Sequence, residues 1–133
     1  VHRALKQINR IHKTRLLKKS SLYETVPMGP KFQPNFINAV IKVETMLTPQ
    51  KLLEELKYLE KLHNRKTTKR WGPRSLDLDI LIYDQVIMNS EDLTLPHPGV
   101  KYREFVLIPL YEITRYDFEV PKYGKISKLI RRL

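Results

Sequence analysis

The sequence predicts an α+β sandwich, an antiparallel sheet covered by helices on one side, and three observations predict it. Apolar residues recur at helical spacing in two places, Ala4, Leu5, Ile8 and Ile11, and then Leu52, Leu56 and Leu59. From Phe36 to Met46 and again from Leu76 to Tyr83 the pattern changes to alternation, the period of a half-buried strand. At 133 residues, 41% of them apolar, the chain is one domain by size and has enough apolar surface for a single core.

His2 to about His12 predicts a short amphipathic helix, with both histidines on its surface because no ligand partners stand at metal-binding spacing. Arg15 to Tyr23 is β-compatible. It ends at Thr25-Val26-Pro27-Met28-Gly29-Pro30, and with Pro34 these prolines stiffen a loop from Thr25 to Gln33. Such a loop either presents backbone groups to a ligand or is an ordinary surface connection. In the strand from Phe36 to Met46, Ile37, Ala39, Ile41 and Val43 share one face, and Phe36, Asn38 and Val40 begin the other. An aromatic beside an amide on one face suits a flat heterocycle, or else it is an edge aromatic with a turn-stabilising asparagine.

Thr48 is placed to cap a helix with Pro49 in its first turn, and Leu52, Leu56, Leu59 and His63 trace its buried stripe to about Asn64. Glu54, Glu55, Lys57 and Glu60 occupy the polar side. After the strand from Leu76 to Tyr83, turns at Asp84 and at Asn89-Ser90 enclose a short extended piece. Asp92 to Leu95 is extended again and ends at Pro96-His97-Pro98-Gly99. Tyr102 to Ile113 predicts one or two helical turns broken at Pro109, with Arg103 and Phe105 near their start. A turn at Lys122-Tyr123-Gly124 leads to a last helix carrying Ile126, Leu129, Ile130 and Leu133. The order helix, strand, strand, helix, strand is that of a ferredoxin-like sandwich.

Composition narrows the function. No apolar run approaches the roughly 20 residues that cross a bilayer, and no charged-then-apolar leader begins the chain, so a soluble, cytoplasmic setting is expected. Zero cysteines exclude disulfides, thiol nucleophiles and thiolate metal sites. The net charge of +11 favours anionic partners: nucleotides, nucleic acid or a membrane surface. Its clusters at Arg15, Lys18 and Lys19, and at Lys125, Lys128, Arg131 and Arg132, fit a solvated surface.

The third cluster adjoins two carboxylates in the stretch Arg70-Trp71-Gly72-Pro73-Arg74-Ser75-Leu76-Asp77-Leu78-Asp79-Ile80-Leu81-Ile82-Tyr83. On a strand Asp77 and Asp79 point the same way, with Cα atoms about 6.6 Å apart at roughly 3.3 Å per residue. Paired oxygen ligands suit Mg²⁺, which is usually held by one or two carboxylates plus substrate phosphates. Lys61, Arg65, Lys66, Lys69, Arg70 and Arg74 precede them with no acid among them, ready to take those phosphates. Metal-nucleotide chemistry is the expectation.

That stretch, followed by LTLPHPGVKYREFVLIPLYEI from Leu93 to Ile113, resembles the 6-hydroxymethyl-7,8-dihydropterin pyrophosphokinases of folate biosynthesis, and the likeness runs from Val1 to the C-terminus. The resemblance implies transfer of pyrophosphate from ATP to the pterin hydroxymethyl group, releasing AMP. It implies two Mg²⁺ ions on Asp77 and Asp79, with Arg74 and Arg65 also in the catalytic set. On the nucleotide side it places Arg74, Ile80, Thr94, His97, Arg103, Trp71 and Glu60. On the pterin side it places Thr25, Pro27, Met28, Phe36, Asn38, Trp71, Asp77 and Phe105, with Trp71 on a loop that covers the site.

The chain departs from the family pattern in several places. Val26 replaces a commoner proline, Lys66-Thr67-Thr68 stands where a second arginine is frequent, and Asp92 stands where some members carry a nucleotide-side arginine. The family's initial strand and glycine-containing turn precede its first helix and are not in this sequence; either the chain as given begins part-way through, or this member has lost the strand. The partners implied are ATP and a reduced pterin, with no nucleic acid and no membrane, in a monomer or a fused folate enzyme. Two competing readings are a small basic nucleic-acid-binding module, which explains +11, Phe36 and Tyr83 but not the aspartates, and an inactive structural partner of another folate enzyme.

Overall fold

The structure, a computed structural model, describes residues 1–25, 36–66 and 76–133, with Phe36 and residues 64–66 described in backbone only. Helices and antiparallel strands are mixed, so the fold is α+β. The order is α1 (His2–Ile8), β1 (Thr14–Lys19), β2 (Tyr23–Thr25), β3 (Phe36–Asn38), β4 (Ile41–Thr45), α2 (Pro49–Lys66), β5 (Met88–Asn89) and β6 (Thr94–Leu95). A 3₁₀ turn (Pro98–Lys101), α3 (Glu104–Ile113), β7 (Glu119–Val120), β8 (Gly124–Lys125) and α4 (Ile126–Arg131) complete it.

The strands form antiparallel pairs, β1 with β4, β2 with β3, β5 with β6 and β7 with β8. The longest ladder runs from Thr14 opposite Thr45 to Lys19 opposite Ile41, with an irregularity between Leu16 and Lys18. The alternating run from Phe36 to Met46 is therefore two strands, not one. Ala39 and Val40 separate them: Val40 turns into the core, its amide taken by the Ser20 hydroxyl at 2.9 Å.

Helix α2 forms as its sequence dictates. The Thr48 hydroxyl accepts the Lys51 amide at 3.2 Å, Pro49 needs no partner in the first turn, and Leu52 and Leu56 face inward. The expected break at Pro109 does not occur, and α3 continues through it to Ile113. Only one backbone bond is forfeited there, while Leu107, Pro109, Leu110 and Ile113 are all buried on the helix. Full burial of one such side chain contributes about 1.5–3 kcal/mol, so the packing holds the helix straight through.

Two apolar clusters make the core. One gathers Val100, Leu107, Leu110, Val120, Ile126 and Leu129 around α3 and α4; the other gathers Ile8, Ile11, Leu52, Leu56, Ile80 and Leu95 around α1 and α2. The segment from Leu76 to Tyr83 runs between them. Its expected strand is not formed, since the segment belongs to no ladder among the described residues. Its backbone is secured singly instead: the Leu78 amide donates to Glu60 Oε2 at 2.7 Å, and the Leu81 carbonyl accepts from the His97 amide at 2.8 Å. No helix among the described residues is long and apolar enough to cross a membrane.

Candidate active site

Alternation, not sheet pairing, aims the two aspartates. Leu76 and Leu78 are half-buried and Ile80 is buried, while Asp77 and Asp79 are exposed, which is the side-chain period of an extended chain. From Leu81 onward both sides are covered, because Leu81 and Ile82 pack on one core while Leu78, Ile80 and Tyr83 pack on the other. The Tyr83 hydroxyl donates to the Leu47 carbonyl and fixes the far end. Among the described residues no basic side chain forms an ion pair with Asp77 or Asp79.

A cleft of about 230 Å³ opens beside Asp79 and brings together Ile80, Thr94 and His97. His97 caps the 3₁₀ turn: its Nδ1 accepts the Gly99 amide at 3.0 Å, with Pro98 in the first position. A ring nitrogen that accepts carries no proton in the neutral imidazole, so the proton sits on Nε2 and that nitrogen is a donor. Thr94 lies on β6, whose Leu95 is buried in the second core and fixes the strand beneath the cleft.

The wall opposite comes from α2, and sequence reasoning missed it. Leu53 and Lys57 line this cleft, with Glu91 and Asp92 at its rim. For Lys57 the signal was the polar face of α2, which is indistinguishable from solvated surface until the turn carrying Glu91 and Asp92 is placed beside it. These four residues also line a larger groove of about 870 Å³ along α2, which contains none of the sequence-predicted site residues. Glu60 turns away from solvent, its carboxylate bonded to the Leu78 amide and 3.7 Å from Lys57 Nζ. It positions the aspartate segment.

The remaining predicted residues gather elsewhere. On the β2–β3 hairpin the Thr25 hydroxyl accepts from Asn38 Nδ2 at 3.0 Å. Arg103 is the N-cap of α3 and Phe105 lies in its first turn, both exposed. Arg103 crosses closely over Gly99, where an added Cβ would stand 2.9 Å from Nε. Pro27, Met28, Trp71 and Arg74 lie outside the described residues, as do the side chains of Phe36 and Arg65.

The donor set fits a divalent cation. Two exposed carboxylates on one side of an extended chain, with no ion-pair partner among the described residues, would meet the protein's usual share of a Mg²⁺ shell, which substrate phosphates ordinarily complete. The cleft's described lining carries Asp79, Glu91 and Asp92 against the single ammonium of Lys57, so an anionic ligand there requires accompanying cations. An α+β chain with carboxylates beside a cleft this small is a candidate for binding a small polar molecule, and acidic lining of this kind does not favour a nucleic-acid backbone.

By sequence, residues 1–115 match the model of the family described as 7,8-dihydro-6-hydroxymethylpterin-pyrophosphokinase. The chain belongs to this family, the pyrophosphokinases of folate biosynthesis. It is 45% identical over 132 residues to the 2-amino-4-hydroxy-6-hydroxymethyldihydropteridine pyrophosphokinase of Haemophilus influenzae, covering 99% of this chain and 82% of that one. With the protein of the same name from Pseudomonas aeruginosa it shares 37% identity over 130 residues, 98% of this chain and 80% of the other. A folic acid synthesis protein of Schizosaccharomyces pombe is 43% identical over 114 residues, 86% of this chain but 16% of that much longer protein.

Proposed function

We propose that this chain transfers the pyrophosphoryl group of ATP to 6-hydroxymethyl-7,8-dihydropterin. The pterin hydroxyl oxygen forms a bond to the β-phosphorus as the bond from that phosphorus to the α,β-bridging oxygen breaks; AMP leaves, and the hydroxyl gives up its proton. The observation that carries this reading is the exposed pair Asp77 and Asp79, without an ion-pair partner among the described residues, with Asp79 on the cleft of Thr94 and His97, in a chain of this family. Transfer of this kind asks for alignment and charge neutralisation more than covalent participation.

Asp77 and Asp79 would hold two Mg²⁺ ions. When bound, these supply neutralisation of phosphate charge and a lowered pKa for the attacking hydroxyl. His97 Nε2 would donate to the nucleotide, with Ile80 and Thr94 flanking it and Arg103, Arg74 and Arg65 gripping phosphates. A cleft of about 230 Å³ falls below the roughly 300–1,000 Å³ of drug-sized ligand sites, so ATP would extend past it. The pterin would lie against Phe105 and Phe36, with Asn38 and Thr25 on its polar edge, Pro27 and Met28 closing the pocket, and Trp71 covering both substrates. Glu60 would act on the nucleotide side through Leu78.

Residues 1–133 would belong to a single pyrophosphokinase domain, a ferredoxin-like sandwich in the cytoplasm, as a monomer or within a fused folate enzyme; the S. pombe relative holds the matching segment in a much longer protein, which is compatible with the second. Incubation with ATP, magnesium and the reduced pterin should yield AMP, and AMP only when the pterin is present. Formation of ADP instead would refute pyrophosphoryl transfer.

A further inference from the structure

The carboxylate of Glu112 gathers three donors from a segment about ninety residues away. Glu112 Oε2 accepts the Ser21 amide at 2.9 Å and the Ser21 hydroxyl at 2.8 Å, and Oε1 accepts the Tyr23 hydroxyl at 2.5 Å. Nothing in the proposed chemistry uses this contact, yet it joins the two elements that carry the proposed pterin residues.

On the hairpin, Tyr23 stands opposite Asn38 and Thr25 opposite Phe36. Directly paired residues of an antiparallel ladder share a face, and residues two apart on a strand do too, so Tyr23, Thr25 and Asn38 lie on one face. On α3, Phe105 and Glu112 are seven residues apart, which returns the helix to within about 20° of the same direction, roughly 10 Å further along. One stripe of α3 thus carries Phe105 at its start and Glu112 near its end, and Glu112 is bonded to the hairpin face that carries Asn38. Charged hydrogen bonds are short and directional, so three on one carboxylate fix the spacing and tilt of the hairpin against the helix.

We propose that Glu112 is a positioning residue for the pterin, setting the width of the slot between the Asn38 face and Phe105. The proposal rests on the pterin placement given above. It assigns Glu112 no contact with substrate; it acts through Tyr23 and Ser21.

Steady-state kinetics of Glu112→Ala, Glu112→Gln, Tyr23→Phe and the double variant Tyr23→Phe/Glu112→Ala test it, with AMP as the readout. KM for the pterin should rise about tenfold in Glu112→Ala, with kcat and KM for ATP within about twofold of the unaltered chain. Glu112→Gln keeps an acceptor oxygen and should recover part of the loss. Tyr23→Phe should lose part, and the double variant should be no worse than Glu112→Ala alone, because both changes remove one contact. Unchanged pterin KM in Glu112→Ala overturns the role while leaving the reaction standing. Equal loss toward ATP and pterin, in Glu112→Gln as well, also overturns it, since general loosening predicts that pattern. No AMP from the unaltered chain overturns the parent reading and this role together.

Discussion

Gly99→Ala separates a packing effect from a functional one. Gly99 is buried, yet what its missing side chain leaves room for is Arg103: a Cβ there would meet Nε at 2.9 Å, Cδ at 3.0 Å and Cζ at 3.1 Å. The nearest atom would be about half an ångström short of the 3.4 Å where ordinary contact begins. The obstruction is one exposed, flexible side chain and no backbone, so the helix cap need not move and Arg103 simply swings away. Stability should change by less than about 1 kcal/mol. The guanidinium, however, leaves the place from which it is proposed to grip the phosphates. Loss of a charged hydrogen bond of about 1.5–3 kcal/mol corresponds to a roughly 10- to 150-fold fall in kcat/KM for ATP. Thermal denaturation followed by AMP-release kinetics at varied ATP would measure both. An unfolding midpoint that collapses together with activity, or full activity at an unchanged midpoint, would each refute the reasoning.

Other perturbations follow from the same geometry. Asp77→Ala and Asp79→Ala remove exposed carboxylates that have no ion-pair partner among the described residues, so the melting temperature should hold while turnover falls by about a thousandfold or more; near-normal AMP formation by either variant contradicts the proposed metal role. Glu60→Ala strands the Leu78 amide, which should lower stability by about 1–3 kcal/mol, and a melting curve coincident with that of the unaltered chain would show that the bond carries nothing. Bonding to Tyr23 and then Ser21 holds the Glu112 carboxyl below its ordinary 4.5, and bonding to Glu112 chiefly holds the Tyr23 hydroxyl above its ordinary 10.0. The first contribution is present above 4.5 and lost as pH falls through the lowered value, the second is present below 10.0 and lost as pH rises through the raised one. The melting-temperature gap between the unaltered chain and Glu112→Gln should therefore be full at about pH 7 and shrink as pH falls below the ordinary 4.5; a gap that stays constant on acidification contradicts the assignment.

Where local chemistry decides a structure, the sequence displayed it. Thr48 followed by Pro49 and the Leu52, Leu56 stripe specify α2 without help from the rest of the chain, and the alternation from Leu76 to Ile80 correctly turned both aspartates outward. Pairing is another matter. Alternation says which side chains face inward, but whether a segment finds a ladder depends on what lies beside it, and here Glu60 and His97 take the backbone groups one at a time. Pro109 misled for a similar reason: a local rule about one missing amide was outweighed by the burial of its neighbours on α3. Lys57 on the cleft wall and the bonding of Glu112 to Tyr23 were illegible, because each depends on segments far apart in the chain, 89 residues in the second case.

The charge distribution works on two scales that pull in opposite directions. Over the whole chain, +11 sets up a field that draws in polyanions. Within the cleft, the described lining holds three carboxylates and one ammonium, and a bare triphosphate would meet repulsion there. On the proposed reading, a nucleotide already carrying magnesium would avoid that repulsion, and Asp77 and Asp79 would serve it as ligands. Such an arrangement works only if the carboxylates stay put when the anion arrives. Their segment is fastened on both sides, with Ile80 in one core, Leu81 and Ile82 against the other, and its backbone tied to Glu60 and to the amide of His97. The His97 ring in turn caps the turn leading to Arg103, so the side chains proposed to hold metal and phosphate share one mechanical support, with no ladder under the aspartate segment among the described residues.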